Sequence, residues 1–194
     1  MLIYSHKRMS EFIYSNIKEN TSFTLNKLMF KLGNMSPDMP LYHRHLKHYK
    51  YQNFDAILQM IDELSMINPS ESISKLNLYS YRLGVITHYI SDYFCLPHHD
   101  RETYSDKLKE HLLYEKNMHK DVLNYSNENT IYEDLADFSN FDIKSVIDSF
   151  MDMYITDEQS SKNDIRYAIS ASSMIASILL IHSLSTTSQP FVYA

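Results

Sequence analysis

HYISDYFCLPHHD, residues 88–100, is the stretch on which the reading of this chain turns. It sets three histidines and two aspartates among Tyr, Ile, Phe, Cys and Leu. His88 and Asp92 are four apart, so on a helix they lie one turn above each other on a single face. Gly84 is one further turn back on that face. A helical glycine costs ~1 kcal/mol relative to alanine, so its expected use is close approach of another backbone or of a metal site. Pro97 is expected to end the helix, which leaves His98 free to point back across the end of a bundle.

The rest of the chain supports a helical setting. Among 194 residues there are only 2 glycines and 5 prolines, too few turn-makers for many short strands. Helical periodicity runs over 5–20, 22–33, 53–66, 71–96, 104–125, 142–154 and 157–185, with Ser22 and Ser70 as N-caps. Residues 34–49 read as irregular because two prolines interrupt them. The expected fold is all-α: one domain over residues 1–194, a bundle of about seven helices with its polar clusters inside or at one end. The longest apolar stretch, AISASSMIASILLIHSL at 168–184, carries serines and a histidine and follows Arg166, which suits a buried core helix better than a membrane span. One cysteine, Cys95, excludes a disulfide framework and a cysteine-based zinc knuckle. The first residues lack a basic segment followed by an apolar one, so the expected location is cytoplasmic. Residues 1–50 carry eight Lys/Arg against three Asp/Glu, a net +5, while the remainder carries ten against twenty-one, a net -11. The basic front suits an anionic substrate or a solvated surface.

A second helical pair follows. In HLLYE, His111 and Glu115 are again four apart. Two such pairs on neighbouring helices converge readily in a bundle interior, which is how bundle metal sites are built. Imidazole with carboxylate suits zinc, at ligand distances of ~2.0–2.2 Å. Upstream, SPDMP offers Asp38 in a loop, YHRHLKHY offers His43, His45 and His48, and His6 stands on the first turn of the first helix. A single His–Asp pair is usually no more than an exposed helix pair, and HHD is equally readable as a polar turn. His43 and His45 read as solvated loop residues, and His119 and His182 as residues outside any ligand set. The joint pattern carries the weight.

That pattern resembles the zinc-dependent phospholipase C family, which shares its fold with single-strand-specific zinc nucleases. The family motif is His, three residues, Asp, five residues, His, and then, a dozen or so residues on, His, three residues, Glu. Here it reads His88–Asp92–His98 and His111–Glu115. RLGVITHYISDYF is similar to the family's Leu-Gly, His-Tyr and Asp helix, and GNMSPD to the Gly-Asn and Pro-Asp loop of its shorter bacterial members. The resemblance covers most of residues 5–116 and is loose after about residue 120; the C-terminal lipid-binding domain of some family toxins is not expected here. It implies three zinc sets: Asp38, His48, His88 and Asp92; His98, His111 and Glu115; and His6 with Asp92 as a bridge. His48 is taken over His45 because KHY precedes an apolar helix. Secreted members complete the third set with an N-terminal Trp. This chain has no Trp and begins at Met1, five residues before His6, so that set is expected to lack two donors.

The resemblance implies a phosphoric ester hydrolase with two to three zinc ions and a phospholipid or other phosphodiester substrate, with peripheral membrane contact and no protein partner. Paired zinc ions clamp phosphate oxygens and acidify an attacking water, with Asp38 as ligand or as the base that takes the proton. Tyr89, Tyr93 and Phe94 would keep the site dry. Three alternatives stand beside this. A nuclease or phosphomonoesterase would use the same metals, its sixteen tyrosines stacking bases or lining a headgroup pocket. His99-Asp100 reads as the HD dipeptide of helical metal phosphohydrolases. A non-catalytic zinc-binding protein would have a closed coordination shell.

Overall fold

A computed structural model of the protein describes residues 1–40, 46–99, 107–126 and 142–185. Among these residues there are eight α-helices and no strand. They are α1 (Ile3–Thr21), α2 (Lys27–Met35), α3 (Lys50–Ser65), α4 (Ile73–Tyr93), α5 (Leu96–His99), α6 (Leu108–Leu123), α7 (Ile143–Thr156) and α8 (Ser161–Ser185), with a 3-10 turn at Ser36–Asp38 after α2. The fold is all-α, as the periodicity indicates.

Several boundaries depart from the sequence reading, each for a local reason. Ser22 does not start a helix. It closes α1 in the left-handed region, at φ 55°, with its N–H donating to the Lys18 carbonyl. Asn26 caps α2 instead, its side chain accepting from the Met29 N–H at 3.2 Å. Ser72 rather than Ser70 caps α4. The expected single helix over 71–96 stops at Tyr93, and a separate short turn begins at Leu96. Pro97 therefore sits in the first turn of α5, where a proline's missing N–H is not needed, and His98 lies inside that turn rather than past a helix end. Asp157 closes α7 instead of opening α8. The expected start of α6 at residue 104 lies outside the described residues.

The two glycines of the chain meet at the crossing of α2 and α4. A Cβ on Gly84 would stand 2.2 Å from the Phe30 carbonyl oxygen, and one on Gly33 would stand 2.0 Å from the Tyr81 carbonyl oxygen. The helices thus touch backbone to backbone, as expected of Gly84. α4 also packs against α3 and α8, and α8 packs against α1, α6 and α7. Met9, Ile13 and Ile17 of α1, Phe30 of α2, Ile57 and Ile61 of α3, and Leu83, Ile86 and Ile90 of α4 fill the shared interior. α8 is long and apolar enough to cross a membrane, yet it is largely buried in the bundle. Its serines are satisfied there. Ser177 and Ser183 donate back to their own helix at 2.8 Å, Ser172 pairs with Ser91 at 3.0 Å, and Asn16 donates to Ser173 at 3.1 Å.

Candidate metal centre

The polar cluster lies where α1, the turn after α2, the start of α3, the end of α4, α5 and α6 come together. α4 contributes His88 and Asp92, both fully buried. The close α2–α4 crossing sets the first of these. It brings the Asn34 carbonyl within 2.9 Å of His88 Nδ1. A carbonyl only accepts, so Nδ1 carries the proton and Nε2 presents its lone pair to the cluster. Nε2 lies 3.4 Å from Asp92 Oδ2, 3.3 Å from His48 Nδ1 and 3.7 Å from Asp38 Oδ1.

Asp92 is the hub. Its Oδ2 stands 2.5 Å from His48 Nδ1, and its Oδ1 stands 3.2 Å from His6 Nε2 and 3.5 Å from His98 Nδ1. His6, on the first turns of α1, lies against the His88 ring with centroids 3.9 Å apart. Asp38 ends the 3-10 turn that Pro37 helps to set, and its Oδ1 is 3.8 Å from His48 Nε2. On the far side, Glu115 Oε1 is 3.1 Å from His98 Nε2 and 2.9 Å from His111 Nε2. The two helical pairs face each other with His98 between them. All eight residues singled out in the sequence — His6, Asp38, His48, His88, Asp92, His98, His111 and Glu115 — are in this cluster. His43, His45 and Asp100 lie outside the described residues, and so does the His99 side chain. His119 is instead bonded to Ser5 Oγ at 3.1 Å, and His182 is in the last turn of α8, apart from the cluster.

The chemistry of the donor set fits a cation. His6, Asp38 and Asp92 with their imidazole neighbours form groups in which one donor atom from each residue lies within 4.8 Å of the others: His6–His88–Asp92, Asp38–His48–His88 and His48–Asp92–His98. Both ring nitrogens of His6, Oδ2 of Asp38 and Nδ1 of His98 are buried without a hydrogen-bond partner among the described residues. Such atoms are costly to bury unless something binds them. Cys95 also joins, with His98 and Glu115, in a group of the same size. Sequence reasoning set this cysteine aside because only multiple cysteines make a zinc knuckle. Its neighbours arrive from α5 and α6, so only the local run CLPHHD, with a histidine three residues on, hints at it. The nitrogen of Met1 is a further feature unforeseen in the sequence. It lies 2.8 Å from Asp92 Oδ1, 3.2 Å from His98 Nε2 and 3.2 Å from Glu115 Oε1, beside the set expected to lack donors.

Burial and charge divide the titrating groups. Burial pushes His88 and His98 below the ordinary imidazole range, which favours the neutral form that can ligate. Burial acts against ionised Asp92, but the Met1 ammonium and the surrounding imidazoles, with the His48 hydrogen bond, hold its carboxyl well below the ordinary range. Glu115 is lowered too, because hydrogen bonds from His111 and His98 outweigh burial. Asp38 goes the other way: burial lifts its carboxyl, with the charge of Asp92 adding to the effect. Burial opposes a charge on His48, and the bond to Asp92 more than offsets it, leaving His48 above its ordinary 6.5.

No curated protein and no solved structure gives a significant match to the chain. A family model described as zinc dependent phospholipase C matches residues 5–165, a span that takes in all eight clustered donors. With that match over most of its length and a buried histidine–carboxylate cluster inside it, the chain belongs to the zinc-dependent phospholipase C family.

Proposed function

We propose that this protein hydrolyses the glycerol-side phosphoester bond of phospholipids at a centre of two to three zinc ions held by His6, Asp38, His48, His88, Asp92, His98, His111 and Glu115. The observation that carries the reading is Asp92: one buried carboxylate with His48 and His88 on one oxygen and His6 and His98 on the other. That arrangement suits a bridge between neighbouring cations. Zinc bound there supplies charge neutralisation at the phosphate oxygens and lowers the pKa of water.

The protein's own groups then have distinct tasks. His88, with its tautomer fixed by Asn34, and His48 hold one side of the substrate phosphate's position; His98, His111 and Glu115 hold the other. Asp38 takes the proton from water at Oδ2, the oxygen with no hydrogen-bond partner among the described residues. Its raised carboxyl makes it the better base of the two aspartates. Beside His98 opens a cavity of about 450 Å³ lined by Lys50, Tyr51, Phe54, Tyr93 and Met151. Aromatic and thioether walls suit the apolar part of a lipid. Around His111, Leu108, Leu112 and Leu113 are exposed, with Lys107, Lys109 and Lys116 exposed beside them, which supports peripheral contact with a lipid surface.

The test is a substrate panel with the zinc-loaded protein. Short-chain phosphatidylcholine should be cleaved to diacylglycerol and phosphocholine, and chelation should abolish the reaction. Efficient cleavage of single-stranded DNA with no action on the lipid would transfer the site to the nuclease reading. Inactivity on every phosphoester with zinc fully bound would make the centre structural.

A further inference from the structure

Asp164 lies in the first turn of α8, outside the metal cluster, and is fully buried. Its Oδ2 accepts from the Leu96 N–H at 2.9 Å and from the Tyr114 hydroxyl at 2.8 Å; its Oδ1 accepts from the Tyr154 hydroxyl at 2.9 Å. Among the described residues it forms no ion pair. A buried carboxylate without a cation is expensive, so an apolar or neutral side chain would fill this position more cheaply if filling were all it did. The identity of the donors shows what the carboxylate adds. Leu96 opens α5, the short turn that carries His98, and its N–H is one of the first-turn amides that a helix leaves without an internal partner. Tyr114 directly precedes Glu115 on α6 and stands three residues after His111. One oxygen atom of one side chain therefore ties together the two segments that supply His98, His111 and Glu115, and α8 anchors it from behind. Tyr154 secures the other oxygen to α7.

We propose that Asp164 is the positioning residue of the His98–His111–Glu115 ligand set, fixing the separation of α5 from α6 before any metal binds. It acts as an acceptor in a fixed place, so its shape and oxygen atoms matter more than its charge. The inference rests on the proposed ligation, but its first readout does not need metal.

The experiment uses the full chain with three variants. Asp164→Leu fills the volume and removes both acceptors. Asp164→Asn keeps one oxygen for the Leu96 and Tyr114 donors. Tyr114→Phe removes a single donor. In metal-free protein, imidazole ring resonances of His98 and His111 should move in Asp164→Leu and in Tyr114→Phe, while those of His6 and His88 stay put. Asp164→Asn should restore the wild-type positions. On zinc titration against a competing chelator, Asp164→Leu should lose roughly 10–100-fold in affinity for one ion, the loss typical when a supporting partner of a metal ligand is removed. A folded Asp164→Leu with unmoved His98 and His111 resonances and wild-type zinc affinities would overturn the proposal. If Asp164→Leu does not fold, unmoved resonances and unchanged zinc affinity in Tyr114→Phe overturn it equally. Wild-type protein that takes up no zinc would sink the functional reading instead, while the ring resonances still decide the role of Asp164.

Discussion

Asp38 and Asp92 share one site, and their surroundings push the two carboxyl groups apart: burial raises Asp38, while the Met1 ammonium, the neighbouring imidazoles and the His48 hydrogen bond outweigh burial at Asp92. Paired titratable groups with opposed shifts mark acid–base roles. Asp38 sits on a short turn and is partly exposed, so its replacement leaves the packing alone. Asp38→Asn should lower turnover by ~100-fold or more with little change in melting temperature; equal turnover would remove Asp38 from the mechanism. His48 provides a pH test. A protonated imidazole cannot ligate, and His48 holds its proton above 6.5. Zinc affinity should therefore weaken as pH falls through that raised value, with a proton taken up for each His48 released, as measured by chelator competition across neutral pH. In metal-free protein the sign reverses. The His48–Asp92 bond contributes stability that is full below pH 6.5 and is lost as pH rises through the raised His48 value. On the acid side, the depressed Asp92 contributes stability above its ordinary 3.8 that is lost as pH falls below it. Denaturant midpoints of the chelated protein should show both limbs.

At the scale of elements, the α2–α4 crossing decides the geometry of the first ligand group. Gly33 and Gly84 let the two backbones touch, and the touch delivers the Asn34 carbonyl to His88. Gly84→Ala would place a methyl 2.2 Å from the Phe30 carbonyl oxygen, a rigid backbone atom. The helices must then separate, which should cost ~1–3 kcal/mol or more as overpacking. It should also loosen the His88 ring and weaken zinc binding. A variant with unchanged denaturant midpoint and unchanged zinc affinity would show that the crossing has slack. α5 is the other decisive element. It is only four residues long, and it places His98 between Asp92 and Glu115 because Leu96 is tied to α8 through Asp164.

At the scale of the whole molecule, the cluster gathers donors from α1, the 3-10 turn, the approach to α3, α4, α5 and α6, so the proposed metal binding would be coupled to folding. Ligand present at ~100 times its dissociation constant stabilises by about 2.7 kcal/mol, which for a chain of this size is a rise of about 5–10 °C in melting temperature. Zinc-replete protein should melt that much above chelated protein and carry at least two zinc ions by elemental analysis; no bound transition metal and no shift would count against the centre. The sequence by itself determined the helical class, because scarce glycine and proline and a 3.6-residue apolar period are local properties. It also determined the paired donors, because four-residue spacing on a helix is a local geometry and the motif spacing made the family recognisable. Helix ends such as Ser22 and Ser72 were not legible, since several serines compete as caps and packing chooses among them. Nor were Cys95, the Met1 nitrogen and Asp164, whose decisive partners lie far along the chain: Glu115 for the first, Asp92 for the second, Leu96 and Tyr114 for the third. Those roles come from the packing of α1, α5, α6 and α8 against one another, and the surroundings that shift Asp38 and Asp92 in opposite directions, burial at the first and charged or hydrogen-bonding neighbours that outweigh burial at the second, exist only once the bundle has closed around them.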